Sequence, residues 1–171
     1  MSHDNSNTSA NVAILTVSDT RSLDTDVSGM VALDLLQDKG HLVMGRLTSS
    51  DNIEEIRDAI TSWLEDSTID AILVTGGTGI GIRDVTIEAV KPLCSITLQG
   101  FGELFRQLSY EEVGAKCMLS RADAGIIVHG NRRIPVFIVP GSPKAVKVAV
   151  EKIVAIELGH ILDLCRGEVS S

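Results

Sequence analysis

Short apolar runs, each ending at a polar or glycine-containing turn, recur along the chain. Continuous apolar runs of this length are typical of strands buried on both faces of a sheet. Two of the runs are separated by only five residues, 129–133, which predict a hairpin loop. The strands predicted in this way cover residues 12–17, 41–47, 70–75, 124–128 and 134–139.

Between these runs, apolar residues recur every three or four positions, which predicts amphipathic helices. Asp51 with Glu54 three residues later is a helix-start signal, and Ser142 before Pro143 is an N-cap followed by a favourable first helical residue. Trp63, Phe101 and Phe105 fall at core-facing positions of these helices. The predicted helices begin at residues 28–29, 51, 85, 101 and 142.

Strands that alternate with helices need crossover connections, so the pattern predicts an α/β protein with a mostly parallel sheet. The hairpin adds one mixed edge, and helices on both faces give three α/β/α layers. With 44% hydrophobic but only 3% aromatic residues, the core is mainly aliphatic. We expect a disordered polar tail over residues 1–11, a single domain over 12–166 and a second tail over 167–171.

The net charge, the spacing of the cysteines and histidines, and the lengths of the apolar runs disfavour several classes of protein. A formal charge of −8 disfavours nucleic acid as a partner, because backbone phosphates require clustered Lys and Arg. The three cysteines and four histidines show no metal-ligand spacing. No apolar run is long enough to span a bilayer and residues 1–11 lack a secretory pattern, so we expect a cytoplasmic protein without a membrane partner.

A glycine-rich loop, Thr75-Gly-Gly-Thr-Gly79, follows a buried strand and precedes a helix. Glycines permit unusual dihedrals and bring main-chain N–H groups close to an anion. Ile82-Arg83 stand after Gly81 where a P-loop would have Lys-Ser/Thr, and the third glycine of the dinucleotide fingerprint is missing. The loop therefore predicts a site for a phosphorylated small molecule, with a simple tight turn as the alternative.

Carboxylates lie close to this loop in the sequence. Asp84 follows Arg83 directly after it, so this carboxylate could hold Mg²⁺ beside a phosphate or could cap the next helix. Asp51 allows the same two interpretations. Because ligands of parallel sheets bind beyond the carboxyl ends of the strands, Ser18, residues 75–79 and residues 140–142 are expected to converge on one site.

Seven motifs stand in order along the chain: residues 17–20 (VSDT), 26–29 (DVSG), 51–56 (DNIEEI), 75–79 (TGGTG), 83–86 (RDVT), 119–121 (LSR) and 140–142 (PGS). Together they resemble the MoaB/MogA family of molybdenum cofactor biosynthesis proteins. The likeness covers residues 12–166, and residues 101–114 are most similar to the MoaB branch. Ile87 stands where the family usually has Pro after the Arg-Asp-Val-Thr pattern.

This resemblance implies a homo-oligomer, a trimer or hexamer, that binds molybdopterin and adenylylates it with Mg-ATP, alongside other proteins of the pathway. It implies catalytic and Mg²⁺-binding roles for Asp84 and Asp51. The remaining residues that it assigns to binding of molybdopterin or ATP are Ser18, Asp26, Ser28, Thr75, Gly76, Gly77, Thr78, Gly79, Ser120, Pro140, Gly141 and Ser142.

Two other functions stay open from the sequence. A non-catalytic protein that binds or carries molybdopterin would need the same binding residues. A nicotinamide-dependent oxidoreductase is disfavoured, because the glycine loop departs from the dinucleotide fingerprint and no acidic residue stands out downstream.

Overall fold

A six-stranded sheet forms the centre of the protein in the computed structural model, which describes residues 8–168. The strands follow the order β2-β1-β3-β6-β5-β4, in which β1, β2, β3 and β6 are parallel while β5 is antiparallel to β6 and β4. The mostly parallel sheet with one mixed edge is therefore confirmed. The strands are β1 (Asn11–Val17), β2 (Leu42–Ser49), β3 (Ala71–Thr75), β4 (Ile96–Thr97), β5 (Asp123–His129) and β6 (Arg132–Val139).

Helices cover both faces of this sheet, as predicted for three α/β/α layers. Residues of α1, α4, α5 and α6 share one hydrophobic core, and residues of α2 and α3 share the other. The helices are α1 (Val27–Asp38), α2 (Ile53–Glu65), α3 (Thr86–Val90), α4 (Gln99–Val113), α5 (Pro143–Ala149) and α6 (Ala155–Arg166). Among the described helices, none has the length and apolarity needed to cross a membrane.

Strand β1 shows why the central strands are continuously apolar. Val12 and Ile14 pack into the first core, whereas Ala13 and Leu15 pack into the second. Successive side chains of a strand point to opposite faces, so a strand covered on both faces has no solvent-facing position.

The three aromatic side chains that were predicted to face the core lie in these cores. Trp63 of α2 packs into the second core, and Phe101 and Phe105 of α4 into the first. The Phe101 ring lies 5.5 Å from the Phe137 ring, with the two planes tilted by 58°. This geometry is favourable for aromatic pairs and fastens α4 to the sheet.

The ordered structure begins before residue 12, so the predicted tail over residues 1–11 is wrong at its end. Asn11 starts β1, and Ala10 is fully buried. The Ala10 N–H donates to His41 Nδ1 at 3.1 Å, so the neutral ring carries its proton on Nε2 and donates to the Ala155 carbonyl at 3.0 Å. Residues 1–7 and 169–171 of the predicted tails lie outside the described residues.

Other elements also differ from the prediction. The N-cap of α2 is Asn52 rather than Asp51, because the Asn52 side chain accepts from the Glu54 and Glu55 N–H groups. The predicted hairpin loop shrinks to Gly130 and Asn131, since β5 and β6 extend towards each other. Strand β4 has only two residues and was not predicted.

The path of the chain places a crevice between β1 and β3. The crossover from β1 to β2 runs through α1 on one face, and the crossover from β2 to β3 runs through α2 on the other. The strand order therefore reverses at β1 and β3, and parallel sheets bind ligands beyond the carboxyl ends of the strands at such a point.

Candidate functional site

The glycine loop after β3 requires glycine at two positions for different local reasons. Gly76 has φ +100°, and a Cβ there would lie 2.2 Å from the Val17 carbonyl oxygen of β1. Gly77 has φ +65°, and its Cβ would lie 2.3 Å from Thr86 Oγ1. Both positions favour glycine because L side chains rarely adopt positive φ. The loop can therefore turn tightly over the end of β1.

The main-chain N–H groups of residues 77–80 have no hydrogen-bond acceptor among residues 8–168. The carbonyls of the loop, by contrast, are bound. Thr86 Oγ1 donates to the Gly76 carbonyl at 2.7 Å, and the Thr86 N–H donates to the Gly77 carbonyl at 3.1 Å. Consecutive free N–H groups on a fixed loop are a typical anion-binding arrangement.

The helix after this loop contributes less to anion binding than the sequence predicted. The helix that was predicted to begin at residue 85 is α3, which covers only Thr86–Val90 and continues as a 3-10 turn. The five-residue α3 carries a small dipole. The anion site therefore depends on the N–H groups of the loop itself.

Asp51 and Asp84 flank the loop from two sides. A Cβ on Gly77 would lie 3.0 Å from Asp51 Oδ1, and a Cβ on Gly79 would lie 2.8 Å from Asp84 Oδ2. Asp84 Oδ2 accepts from the Gly81 N–H at 2.8 Å. The N-cap of α3 is Val85 without a side-chain hydrogen bond, so the capping alternative for Asp84 is wrong. The structure thus brings both predicted carboxylates to the glycine loop.

The pKa values of Asp51 and its neighbour Asp19 are shifted in opposite directions. The pKa of Asp51 is raised, first because the carboxyl is partly desolvated and then because Asp19 and Asp84 lie nearby. The pKa of Asp19 is lowered, because Asp19 Oδ1 accepts from the Asp51 N–H at 2.9 Å and Arg83 lies 2.5 Å from its other oxygen. A cation between Asp51 and Asp84 would relieve their mutual repulsion.

The carboxylates at the loop fit a Mg²⁺ ion that takes only part of its ligands from the protein. Within residues 8–168, no group of three or more His, Cys, Asp or Glu side chains is placed to hold a metal ion. Mg²⁺ commonly uses one or two carboxylates and completes its shell with water and ligand phosphates. Asp51 and Asp84 therefore fit a magnesium ion that arrives with a phosphorylated ligand.

Arg121 is a site residue that sequence reasoning did not select. Its N–H donates to the Thr78 carbonyl at 3.0 Å, its Nε donates to the Gly79 carbonyl at 2.8 Å, and one Nη donates to the Asp84 carbonyl at 2.8 Å. The other Nη pairs with Glu88. Arg121 lies far along the chain from the loop, so its only sequence signal is its place in the motif at residues 119–121.

Asp26, predicted to bind substrate, is a buried residue that supports the start of α1. Its Oδ1 accepts from the Gly29 N–H at 2.9 Å, and its Oδ2 accepts from Thr16 Oγ1 at 2.7 Å and from Arg46 at 3.0 Å. The whole Asp26 residue is only 2% exposed. With both oxygens engaged inside the protein, Asp26 positions its neighbours.

Two other predicted binding residues tie loops together. Thr75 Oγ1 donates to the Pro140 carbonyl at 2.9 Å, and Ser28 Oγ donates to the Gly141 carbonyl at 2.7 Å. Both residues are fully buried. They hold the β6–α5 connection against β3 and α1, whereas the half-buried Ser18 lies directly after β1 and its Oγ accepts from the Thr20 N–H.

Ser120, Pro140 and Ser142 line a separate apolar groove beside the glycine loop. The groove has a volume of about 620 Å³ and runs between α4 and α5. Gly141, which stands between the groove residues Pro140 and Ser142, approaches the glycine loop closely, because a Cβ on Gly141 would lie 3.1 Å from Gly76 Cα. Its walls are formed largely by Phe105, Val113, Pro143, Ala145 and Val148, with Lys116 and Lys144 also present.

The predicted residues therefore fall into two adjoining parts. Asp51, Asp84 and the loop with Thr78 form a polar part, and Ser120, Pro140 and Ser142 belong to the apolar groove. A site that combines an anion-binding loop with an adjoining apolar groove suits a ligand that has both phosphate and ring.

Comparisons with known proteins define the class of protein that has this fold. A family model described as "Probable molybdopterin binding domain" matches residues 13–160. Molybdenum cofactor biosynthesis protein B of Staphylococcus aureus (strain MRSA252) is 48% identical over 159 residues, which cover 91% of this chain and 92% of that protein. The protein of the same name from Bacillus subtilis (strain 168) is 43% identical over 150 residues, which cover 87% and 86%.

Solved structures agree with these sequence relatives. A crystal structure of a molybdenum cofactor biosynthesis protein B matches with a TM-score of 0.87 and 42% identity, over 93% of this chain and 97% of that chain. The tungsten cofactor synthesizing protein MoaB from Pyrococcus furiosus matches with a TM-score of 0.83 and 38% identity, over 92% and 98%. This chain belongs to the MoaB/MogA family of molybdenum cofactor biosynthesis proteins.

Proposed function

We propose that the protein adenylylates molybdopterin with Mg-ATP. A phosphate oxygen of molybdopterin attacks the α-phosphorus of ATP, the bond from that phosphorus to the α–β bridging oxygen breaks, and pyrophosphate leaves. The observation that carries the proposal is the row of four N–H groups at residues 77–80, which have no acceptor in the described part of the chain and are flanked by Asp51 and Asp84. Nucleotidyl transfer depends mainly on such positioning and charge neutralisation.

We assign the two parts of the site to the two parts of the reaction. The N–H groups of the glycine loop bind phosphate oxygens. The adjoining groove with Ser120 and Ser142 takes the pterin ring, because its walls are apolar and its volume of about 620 Å³ suits a small molecule. The close approach of Gly141 to Gly76 supports placing the two ligands side by side in this proposal.

Asp51 and Asp84 hold Mg²⁺ in this proposal. Bound magnesium neutralises charge on the phosphates, which an acidic chain of net charge −8 would otherwise repel. The raised pKa of Asp51 supports this assignment, because the crowded carboxylates gain most from a cation. The protein supplies orientation and electrostatics, and no side-chain nucleophile is required.

We further propose that the chain forms the homo-oligomer implied by its family resemblance, a trimer or hexamer. Val27 and Met30 on α1 and Met44 on β2 are large apolar side chains that stay more than two-fifths exposed. Where exposed apolar side chains form a patch, the patch commonly marks a contact between proteins.

Incubation with molybdopterin and Mg-ATP, followed by measurement of pyrophosphate, tests the enzymatic proposal. We expect pyrophosphate release by the wild-type protein and a loss of about a hundredfold or more in the rate for Asp84→Asn, because a charge aimed at the phosphates is removed. Asp58→Asn on the exposed side of α2 is the charge-matched control and keeps the wild-type rate. Tight molybdopterin binding without pyrophosphate release would favour a non-catalytic carrier instead.

A further inference from the structure

We propose that Arg121 is a positioning residue that keeps the N–H groups of the glycine loop directed at the bound phosphates. The proposal rests on the function proposed above for the same site. The main-chain N–H of Arg121 binds the Thr78 carbonyl of the loop. Its guanidinium binds the Gly79 carbonyl of the loop and the Asp84 carbonyl beyond it. These three bonds come from one residue more than thirty positions away in the sequence.

Because a peptide group is planar, holding its carbonyl also fixes the direction of the N–H that follows. In a trans peptide the C=O and the following N–H point in opposite directions. Because Arg121 holds the Thr78 and Gly79 carbonyls on its own side, the N–H groups of Gly79 and Ile80 point away from it. Those two N–H groups are among the four that lack an acceptor within residues 8–168.

The same guanidinium also fixes the distance between the loop and a carboxylate. One Nη holds the Asp84 carbonyl at 2.8 Å, and the Asp84 carboxylate in turn accepts from the Gly81 N–H at 2.8 Å. A lysine could not replace this arrangement, because a single ammonium lacks the planar fork that reaches two separate carbonyls. Arg121 therefore sets the anion-binding loop and Asp84 in one geometry.

The ion pair with Glu88 offers a matched control. The two side chains are 33% and 46% exposed, so solvent screens their attraction. Glu88→Gln removes this pair and leaves the three main-chain carbonyls bound. If Arg121 acts through the carbonyls, Glu88→Gln behaves as the wild-type protein while Arg121→Lys does not.

Amide hydrogen exchange tests the positioning role without any ligand. In Arg121→Lys we expect the Gly81, Asp84 and Thr86 amides to exchange about tenfold faster or more, because at least one charge-assisted hydrogen bond to the loop is lost. Leu15 and Leu73 in the sheet keep their protection, and Glu88→Gln exchanges as the wild type. Unchanged exchange at the three loop amides, or equal acceleration throughout the sheet, would overturn the proposal.

Calorimetric titration with Mg-ATP connects the positioning role to the site. We expect Arg121→Lys to weaken binding by about tenfold to a hundredfold, with Glu88→Gln unchanged. Wild-type affinity in Arg121→Lys would overturn the role in ligand binding. A wild-type protein that releases no pyrophosphate would instead refute the enzymatic function, and the exchange result would still decide whether Arg121 orders the loop.

Discussion

Three carboxylates meet at the glycine loop, and their hydrogen bonds differ. Asp19 accepts from the Asp51 N–H and pairs with Arg83, which lowers the pKa of Asp19. Asp84 accepts from the Gly81 N–H. Asp51 is partly desolvated and feels the charges of both other acids, which raises its pKa. The unfavourable free energy of holding the three carboxylates close together therefore falls mainly on Asp51.

Asp51→Asn is expected to stabilise the ligand-free protein at pH 7. A carboxyl whose pKa is raised on folding destabilises the folded state once ionised, and this cost vanishes as the pH falls below the unfolded value of 3.8. The urea midpoint of Asp51→Asn should therefore exceed that of the wild type at pH 7, and the difference should shrink as the pH approaches about 4. A difference that is absent at pH 7, or that does not change with pH, would contradict this account.

Residues with local signals were predicted from the sequence, and residues that act over long distances were not. The glycine loop and its two carboxylates follow from short motifs after a buried strand. Arg121 acts on carbonyls that belong to a distant segment, and no local pattern reveals such a bond. Asp26 was assigned to substrate binding because its motif resembled a family pattern, whereas burial and its partner Arg46 give it a structural role.

At the scale of elements, two helices begin in contrasting ways. The Asp26 carboxylate caps α1 inside the protein and is paired with Arg46 and Thr16. Asn52 caps α2 at the surface and accepts from the Glu54 and Glu55 N–H groups. The first cap also anchors an edge strand, because Arg46 belongs to β2. The second serves its own helix alone.

Asp26→Ala should therefore cost much more stability than Asn52→Ala. Removing Asp26 leaves Arg46 largely buried without its partner, which costs about 3–5 kcal/mol. Removing the exposed cap at Asn52 costs about 1 kcal/mol. Free energies of unfolding from urea titration check the comparison, and equal losses for the two variants would show that Asp26 acts only as a helix cap.

Most helices and strands were predictable because the apolar residues of each follow a clear pattern along the sequence. One helix was predicted to begin at residue 142 and none after it, but the structure has α5 and α6 there with a π-helical segment, Val150–Val154, between them. Strand β4 is too short to produce a pattern, since its two residues depend on pairing with β5. Ala10 and Asn11 looked like a tail because their order depends on contacts with distant His41 and Asp70.

At the scale of the whole molecule, topology decides where the chemistry lies. The strand order reverses at β1 and β3, and the glycine loop leaves β3 at that point. Residues from the ends of β1, β2, β3 and β6 reach the same region, as the sequence predicted for Ser18, the loop and residues 140–142. The division into a polar part and an apolar groove could not be predicted, because it depends on how α4 packs against α5.

A crystal structure of the protein with Mg-ATP tests the central claim most directly. We predict phosphate oxygens within hydrogen-bond distance, about 2.7–3.2 Å, of the N–H groups of residues 77–80. We also predict a magnesium ion that contacts Asp51 or Asp84 and bridges to those phosphates. Phosphates bound elsewhere, with the four N–H groups of the loop facing only water, would contradict the account.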